Sequence, residues 1–221
     1  MEWPALLLSL KLALWTMALL IPPALLIGRF LAWRSFRGKS AVEAIFALPL
    51  VLPPTVLGFY LLLAFGGNSL PGKLYHALFG RQLVFSFDGL LLASLIFNLP
   101  FAIQPIQRAF EAIPADVRDA AACCGLTPWR SFWRIELPLA WTGLVSALVM
   151  TFAHTLGEFG VVLMVGGNIP GQTKTVAIAI YDHVQAFDNW GAGTMSAILL
   201  LLSFAAIAFT FFISRRPARW R

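Results

Sequence analysis

Asp116-Val-Arg-Asp-Ala-Ala-Ala-Cys-Cys-Gly-Leu-Thr-Pro-Trp-Arg-Ser-Phe-Trp-Arg-Ile-Glu-Leu-Pro138 is a polar, helix-capable interruption between long apolar segments. A stretch of this kind stands outside a bilayer, where another molecule can touch it. Pro114 suits a first helical position, Asp116 complements the helix dipole in the first turn, and Gly125 falls where a C-terminal cap belongs. The spacing predicts a short helix from about Pro114 to Cys124. On it Val117, Ala120, Ala121 and Cys124 recur at helical spacing, a stripe of mostly small side chains that lets a second surface approach the backbone. Thr127 offers an N-cap with Pro128 behind it, so a second short helix runs to about Ile135. Two helices meet at a glycine elbow.

The rest of the chain explains why so polar a stretch stands out. Of 221 residues, 59% are hydrophobic and 12% charged, with a mean hydropathy of +0.80, too apolar for a soluble domain. An integral membrane protein, all-α and read as one domain over 1–221, is expected. The formal charge of +6 is a matter of where the basic residues sit, and nucleic acid is a poor explanation for it. Cys123 and Cys124 are adjacent and build no disulfide framework. His76, His154 and His183 have no metal-ligand spacing, so no metal site is expected. The N-terminus begins Met-Glu-Trp-Pro without a basic region and continues apolar past signal-peptide length, which reads as a retained anchor.

Five spans are predicted: about 5–33, 41–65, 89–110, 137–165 and 194–213. The first contains Lys11 and is interrupted by Pro22-Pro23, which predicts a kink. The second is broken by Pro49 and Pro53-Pro54, and in lipid such a segment requires neighbours for its freed carbonyls, so it is expected inside a bundle. In the fourth, Thr155-Leu156-Gly157-Glu158-Phe159-Gly160 predicts a discontinuous helix. Residues 166–193 read as an extramembrane or partly re-entrant segment with a short surface helix over about 175–185. A sixth span there is opposed by Asp182, His183 and Asp188. The 29–39 junction, the 108–134 region and the tail each hold four of the 16 Lys and Arg residues. The positive-inside rule therefore puts the polar stretch and the C-terminus in the cytoplasm and the N-terminus outside.

The polar stretch resembles the cytoplasmic loop of ABC-importer permeases, in which Glu-Ala-Ala, three residues, Gly, nine residues and Ile-x-Leu-Pro recur. Here the pattern reads Asp119-Ala120-Ala121, Gly125 and Ile135-Glu136-Leu137-Pro138, with both spacings kept and Asp in place of Glu. The resemblance implies that the loop, about 111–138, docks into a cleft on a separate ATP-hydrolysing subunit. No Walker-type phosphate loop occurs in the sequence, so ATP and Mg belong to that partner and this chain is not expected to be an enzyme.

A second resemblance narrows the substrate. Leu48 to Pro54 with Gly58, then Gly157-Glu158-Phe159-Gly160, then Gly167-Asn168-Ile169-Pro170-Gly171-Gln172-Thr173-Lys174-Thr175 are similar to the permeases of oxyanion importers, most of all the molybdate group. Tungstate and sulfate permeases share versions of the Gly-Glu-Phe-Gly element. Glu158 has the wrong sign for an anion ligand and is expected to brace a broken helix or gate. Gln172, Thr173, Lys174 and Thr175 could offer donors at the outer mouth, although a solvated loop has the same composition. A homodimer is expected, because one chain has five spans and one docking loop whereas a two-fold pore needs two. Two ATPase subunits beneath it and an extracytoplasmic molybdate-binding protein above it, in a bacterial inner membrane, complete what the resemblance implies. Two rivals come from other classes: a membrane-embedded enzyme using His154 and Glu158, four residues apart, as an acid–base pair, and a passive channel.

Overall fold

The computed structural model describes residues 2–214; the basic tail 215–221, read above as cytoplasmic, lies outside the described residues. Among the described residues every regular element is helical. α1 (Trp3–Trp33) is followed by α2 (Lys39–Val51), α3 (Pro54–Phe65) and a short α4 (Leu70–Phe79). α5 (Phe87–Phe97) and α6 (Leu99–Glu111) are joined through Asn98. The polar stretch holds α7 (Ala115–Cys123) and α8 (Pro128–Ser131), then a π-helical turn (Phe132–Glu136) running into α9 (Leu137–Leu139). α10 (Trp141–Gly157), α11 (Gly160–Gly166), α12 (Val176–Gln185) and α13 (Asn189–Ser214) follow.

Three runs, α1, α5 with α6, and α13, are long and apolar enough to cross a membrane. Two bent pairs bring the number to five if each is one span: α2 with α3, bent by 111°, and the 128–139 run with α10, bent by 70°. The helix of α1 continues through Pro22-Pro23, whereas Leu52 and Pro53 are extended and turn the second run sharply. One expectation is corrected here. α2 has no buried residue, so within this chain the enclosure expected around the second run is supplied to its second half, α3, and not to α2.

The core forms where α1, α6 and α10 meet, with Ala24, Ala102 and Ala147 letting the axes approach and Leu31, Ile103, Ile106 and Phe110 filling the space between. A second cluster joins α3, α5 and α11 through Leu61, Ala93, Phe97, Val161 and Val165. The halves α3 and α11 pack closely because they meet at glycines. A Cβ on Gly58 would lie 2.8 Å from the Cβ of Met164, and one on Gly160 would lie 2.7 Å from the Cβ of Pro54. The second half of the 39–65 run is thereby set against α11, the helix that restarts after Glu158 and Phe159.

α12 differs from the surface helix expected there. Val176, Ile178 and Ala179 are buried against Ala5, Leu6 and Leu12 of α1, Leu90 of α5, Val162 of α11 and Met195 of α13, so the segment tucks back into the bundle. α13 begins five residues before the predicted span because Asp188 caps it, accepting the Gly191 amide at 3.0 Å.

Candidate functional site

The polar stretch builds its elbow from local backbone chemistry. α7 ends in a Schellman turn: the Leu126 amide donates to the Ala121 carbonyl at 3.2 Å and the Gly125 amide to the Ala122 carbonyl at 2.9 Å. Gly125 closes it at φ +73°, a left-handed conformation costly for any residue with a Cβ. Pro114 stands one residue outside the helix, with ψ 143°, rather than at its first position. Thr127 caps the next helix through the Arg130 amide.

The sequence pattern suggested an ordinary second helix to about Ile135; the structure has a π turn instead. The wider winding lets residues five apart meet, and the Ser131 hydroxyl donates to Glu136 Oε1 at 3.1 Å. Glu136, 3% exposed, also receives Arg29 of α1, with Nε at 2.6 Å from Oε2 and Nη2 at 3.2 Å from Oε1. This is a two-pronged, charge-assisted pair between the end of a span and the loop. The Arg29 guanidinium also lies over the rings of Trp33 and Phe132, and Trp33 donates its indole N–H to the Phe110 carbonyl. Neither Arg29 nor Glu136 stood out in sequence, since Arg29 was one of a basic group and Glu136 occupied the variable position of Ile-x-Leu-Pro.

The small-residue stripe is divided by the fold. Asp119, Ala120, Gly125 and Pro138 are exposed, Val117, Ile135 and Leu137 are half-buried, and Ala121 is buried against its own chain. A bulky residue at Ala121 therefore tests packing, while Asp119, Ala120 and Gly125 face outward and are free to meet a partner.

The broken fourth run carries the second group of predicted residues. α10 ends at Gly157, Glu158 and Phe159 leave the helix, and α11 restarts at Gly160. Glu158, 8% exposed, accepts the Val161 amide at 2.9 Å and so caps the restarted half-helix. His154 turns elsewhere: its Nδ1 lies 3.1 Å from Asn98 Oδ1 and its ring stacks on Phe101 at 3.9 Å. The hydrogen bonds of the supposed acid–base pair thus run to different partners.

Asn98 is a residue that sequence reasoning missed. It is fully buried at the α5–α6 joint and donates to the Ser94 carbonyl and to Thr155 Oγ1, both at 2.9 Å. Ser94 in turn shares a 2.7 Å hydrogen bond with Thr16 of α1. The available signal was Asn98 two residues before Pro100 inside an apolar run, since Pro100 has no N–H to continue the ladder.

At the opposite end from the elbow, Lys174 Nζ lies 2.9 Å from both Glu2 Oε1 and Asp182 Oδ2. Asn168 donates to both oxygens of Asp182. Thr173 is buried with its hydroxyl accepting the Ile169 amide, Thr175 is buried, and Gln172 is exposed. Of the donors expected at an outer mouth, Lys174 is engaged within the protein, Thr173 is buried, and the buried Thr175 hydroxyl has no partner. Partial burial pulls the Lys174 ammonium down, but its bonds to Glu2 and Asp182 outweigh this and hold it above its ordinary value. Burial likewise pushes Asp182 up, and the Asn168 and Lys174 bonds outweigh it, leaving the carboxyl below its usual range.

Residues 24–219 match the family described as binding-protein-dependent transport system inner membrane component. The chain belongs to that family. It is a multi-pass inner-membrane transport permease by that membership. The chain is 46% identical over 209 residues to the molybdenum transport system permease protein ModB of Azotobacter vinelandii, covering 95% of this chain and 92% of that one. A probable sulfate transport system permease protein of Chlorella vulgaris is 32% identical over 76% of this chain and 63% of its own. The fold is also that of a chain in the crystal structure of a bacterial ABC transporter involved in the import of the acidic polysaccharide alginate, with a TM-score of 0.76, 15% identity, and coverage of 98% of this chain and 79% of that one.

Two measurements test the geometry. Arg29→Met leaves the Glu136 carboxylate buried without its cation and is expected to lower unfolding stability in detergent by about 3 kcal/mol. Arg29→Met/Glu136→Gln should recover part of that loss, with a coupling of about 1–2 kcal/mol in the double-mutant cycle; strict additivity would show that the two side chains act independently. At the other end, Lys174→Met is expected to cost about 1 kcal/mol at pH 7. Asp182 has a depressed folded value, so its share of the cluster is present above the unfolded carboxylate range and is lost as pH falls through the folded value. The deficit should therefore shrink in acid, and a deficit constant from pH 7 to about pH 3 would mean that Lys174 acts by packing alone.

Proposed function

We propose that this chain is the permease subunit of an ATP-driven importer for molybdate, acting as a homodimer over two separate ATPase subunits and supplied by an extracytoplasmic binding protein. The observation that carries the substrate is the nearly full-length likeness to a molybdenum permease, against a likeness to a sulfate permease that is lower in identity and leaves more than a third of that protein uncovered. Tungstate, of the same charge and shape class, is the competitor that the transport experiment must include.

The geometry supports a coupling role for the elbow. Asp119, Ala120 and Gly125 present an outward surface with little side-chain bulk, suited to insertion into a cleft, while Glu136 holds the far side of the loop to α1 through Arg29. A displacement of the elbow by the ATPase pair is then passed to α1 and to α10, which follows the π turn. Alternating access results when the two copies rock about their shared axis. Glu158 takes the bracing role in this scheme, holding the start of α11 where the helix is broken.

The same geometry supports the orientation. Arg29 and Trp33 at one end of α1 touch the elbow, and Glu2 at the other end touches Lys174. The elbow and the N-terminus thus lie at opposite ends of a 31-residue helix, so a cytoplasmic elbow requires an external N-terminus. Cys123 and Cys124 are exposed, and an impermeant thiol reagent should reach them in inverted vesicles and not in intact spheroplasts. Labelling in spheroplasts would reverse the orientation.

The deciding experiment is transport by the permease with its ATPase and binding protein in proteoliposomes. ATP-dependent uptake of molybdate is expected, with sulfate a poor substrate. Preferred uptake of sulfate would overturn the substrate, uptake without ATP would restore the channel reading, and turnover of a lipid or peptide substrate without any ATPase would restore the enzyme reading.

A further inference from the structure

The elbow end of α1 carries a feature that coupling does not use. A groove of about 560 Å³ opens along it, lined by Leu26, Arg29, Phe30, Trp33, Arg34 and Phe36. Its walls differ in chemistry along the helix. Leu26 and Phe30, one turn apart, are 59% and 52% exposed and form an apolar track leading toward the bilayer interior. Arg34 follows one turn later at the end of the helix, and Arg37 stands in the turn beyond it.

The polar end of the groove has a surplus of positive charge. Arg34 and Arg37 are exposed and take part in no ion pair among the described residues. Arg29 has Glu136, but Arg118 lies 4.5 Å over the Trp33 ring with its buried Nε lacking a hydrogen-bond partner. Arg29 and Arg34 line the groove, Arg118 lies against its Trp33 wall and Arg37 follows three residues after Arg34, and of these four arginines only Arg29 has an ion pair among the described residues.

We infer that this groove binds an anionic phospholipid, its phosphate held by Arg34 and Arg37 and one acyl chain lying along Phe30 and Leu26. Guanidinium groups fit phosphate oxygens through paired N–H bonds. Basic side chains beside an anionic lipid surface each strengthen binding by about fivefold. The apolar track separates this ligand from a free anion, because inorganic phosphate would use the arginines and gain nothing from Leu26 and Phe30. A lipid seated here lies one turn from Arg29 and packs on Trp33, so it steadies the end of α1 that grips the elbow.

The test is native mass spectrometry of the detergent-solubilised permease with its ATPase, titrated with phosphatidylglycerol or phosphatidylcholine of the same acyl chains. Phosphatidylglycerol should be retained in preference. Arg34→Gln/Arg37→Gln should weaken its retention by about 25-fold, two basic contributions of about fivefold each. Phe30→Ser should weaken both lipids. Lys73→Gln, at an exposed lysine of α4, and millimolar inorganic phosphate should leave retention unchanged. Equal retention of the two lipids by the wild-type protein would overturn the inference without recourse to any variant. Unaltered retention in the double variant would overturn it also, and displacement of the lipid by inorganic phosphate would reduce the groove to a small-anion site.

Discussion

Hydrocarbon offers nothing to hydrogen-bond with, so a helix that breaks at membrane depth must find partners for its freed backbone within the protein. Besides the 70° bend at Ala140, helices end at Leu52-Pro53, Asn98 and Glu158-Phe159, and the fold brings the consequences of these three together. Gly58 and Gly160 let the half-helices α3 and α11 close against each other. Glu158 supplies an acceptor to the amide of Val161, and Asn98 binds back to Ser94 and across to Thr155. Irregular backbone is tolerated in a bilayer where it is enclosed by protein or lines an aqueous route, and broken helices in transporters mark that route. Glycines, a buried amide and a buried carboxylate thus have one explanation.

α1 connects this region to both ends of the molecule. Thr16, midway along it, reaches Ser94 in the buried polar chain. Arg29 at one end takes hold of the elbow, and Glu2 at the other takes hold of the segment carrying Lys174. On the coupling role proposed above, this continuous helix of 31 residues, held at both ends, is the element that passes a displacement of the elbow across the molecule. The π turn contributes to the same end, because only its wider winding places Ser131 and Glu136 where one carboxylate serves both the loop and α1.

Much of the fold was legible because bilayer constraints act on composition. Long apolar runs, proline breaks and the Gly-Glu-Phe-Gly interruption could be read directly, and the elbow followed from Gly125 and Thr127. What escaped was pairing between distant segments. Arg29 and Glu136 are 107 residues apart, and nothing local to either distinguishes them from charges facing water. The π turn was illegible because a wider winding leaves no mark in residue types when its reason is a contact elsewhere. Lys174 was misleading for the same reason, since a lysine among polar residues looks free until Glu2 and Asp182 are seen beside it. The burial of Ala121 was hidden by its neighbours, as Ala120, Ala121 and Ala122 are chemically alike and only the orientation of α7 tells them apart.

The way the polar groups are used bears on where substrate selection lies. A doubly charged oxyanion held tightly in a dry site needs several convergent donors or cations. At the broken helices the amide of Asn98 and the hydroxyls of Thr16 and Thr155 are engaged with one another or with backbone, and the buried charge there is the carboxylate of Glu158. Lys174 is matched by two carboxylates, and Arg29 is committed to Glu136. The buried hydroxyls left without a partner, Thr151 and Thr175, are neutral, so among the described residues no set of free cations converges at the broken helices, and passage requires this, since an ion bound strongly midway would not leave. On the function proposed above, discrimination among oxyanions falls to a protein that can enclose the ion completely, and the permease contributes a route whose opening is timed from the elbow.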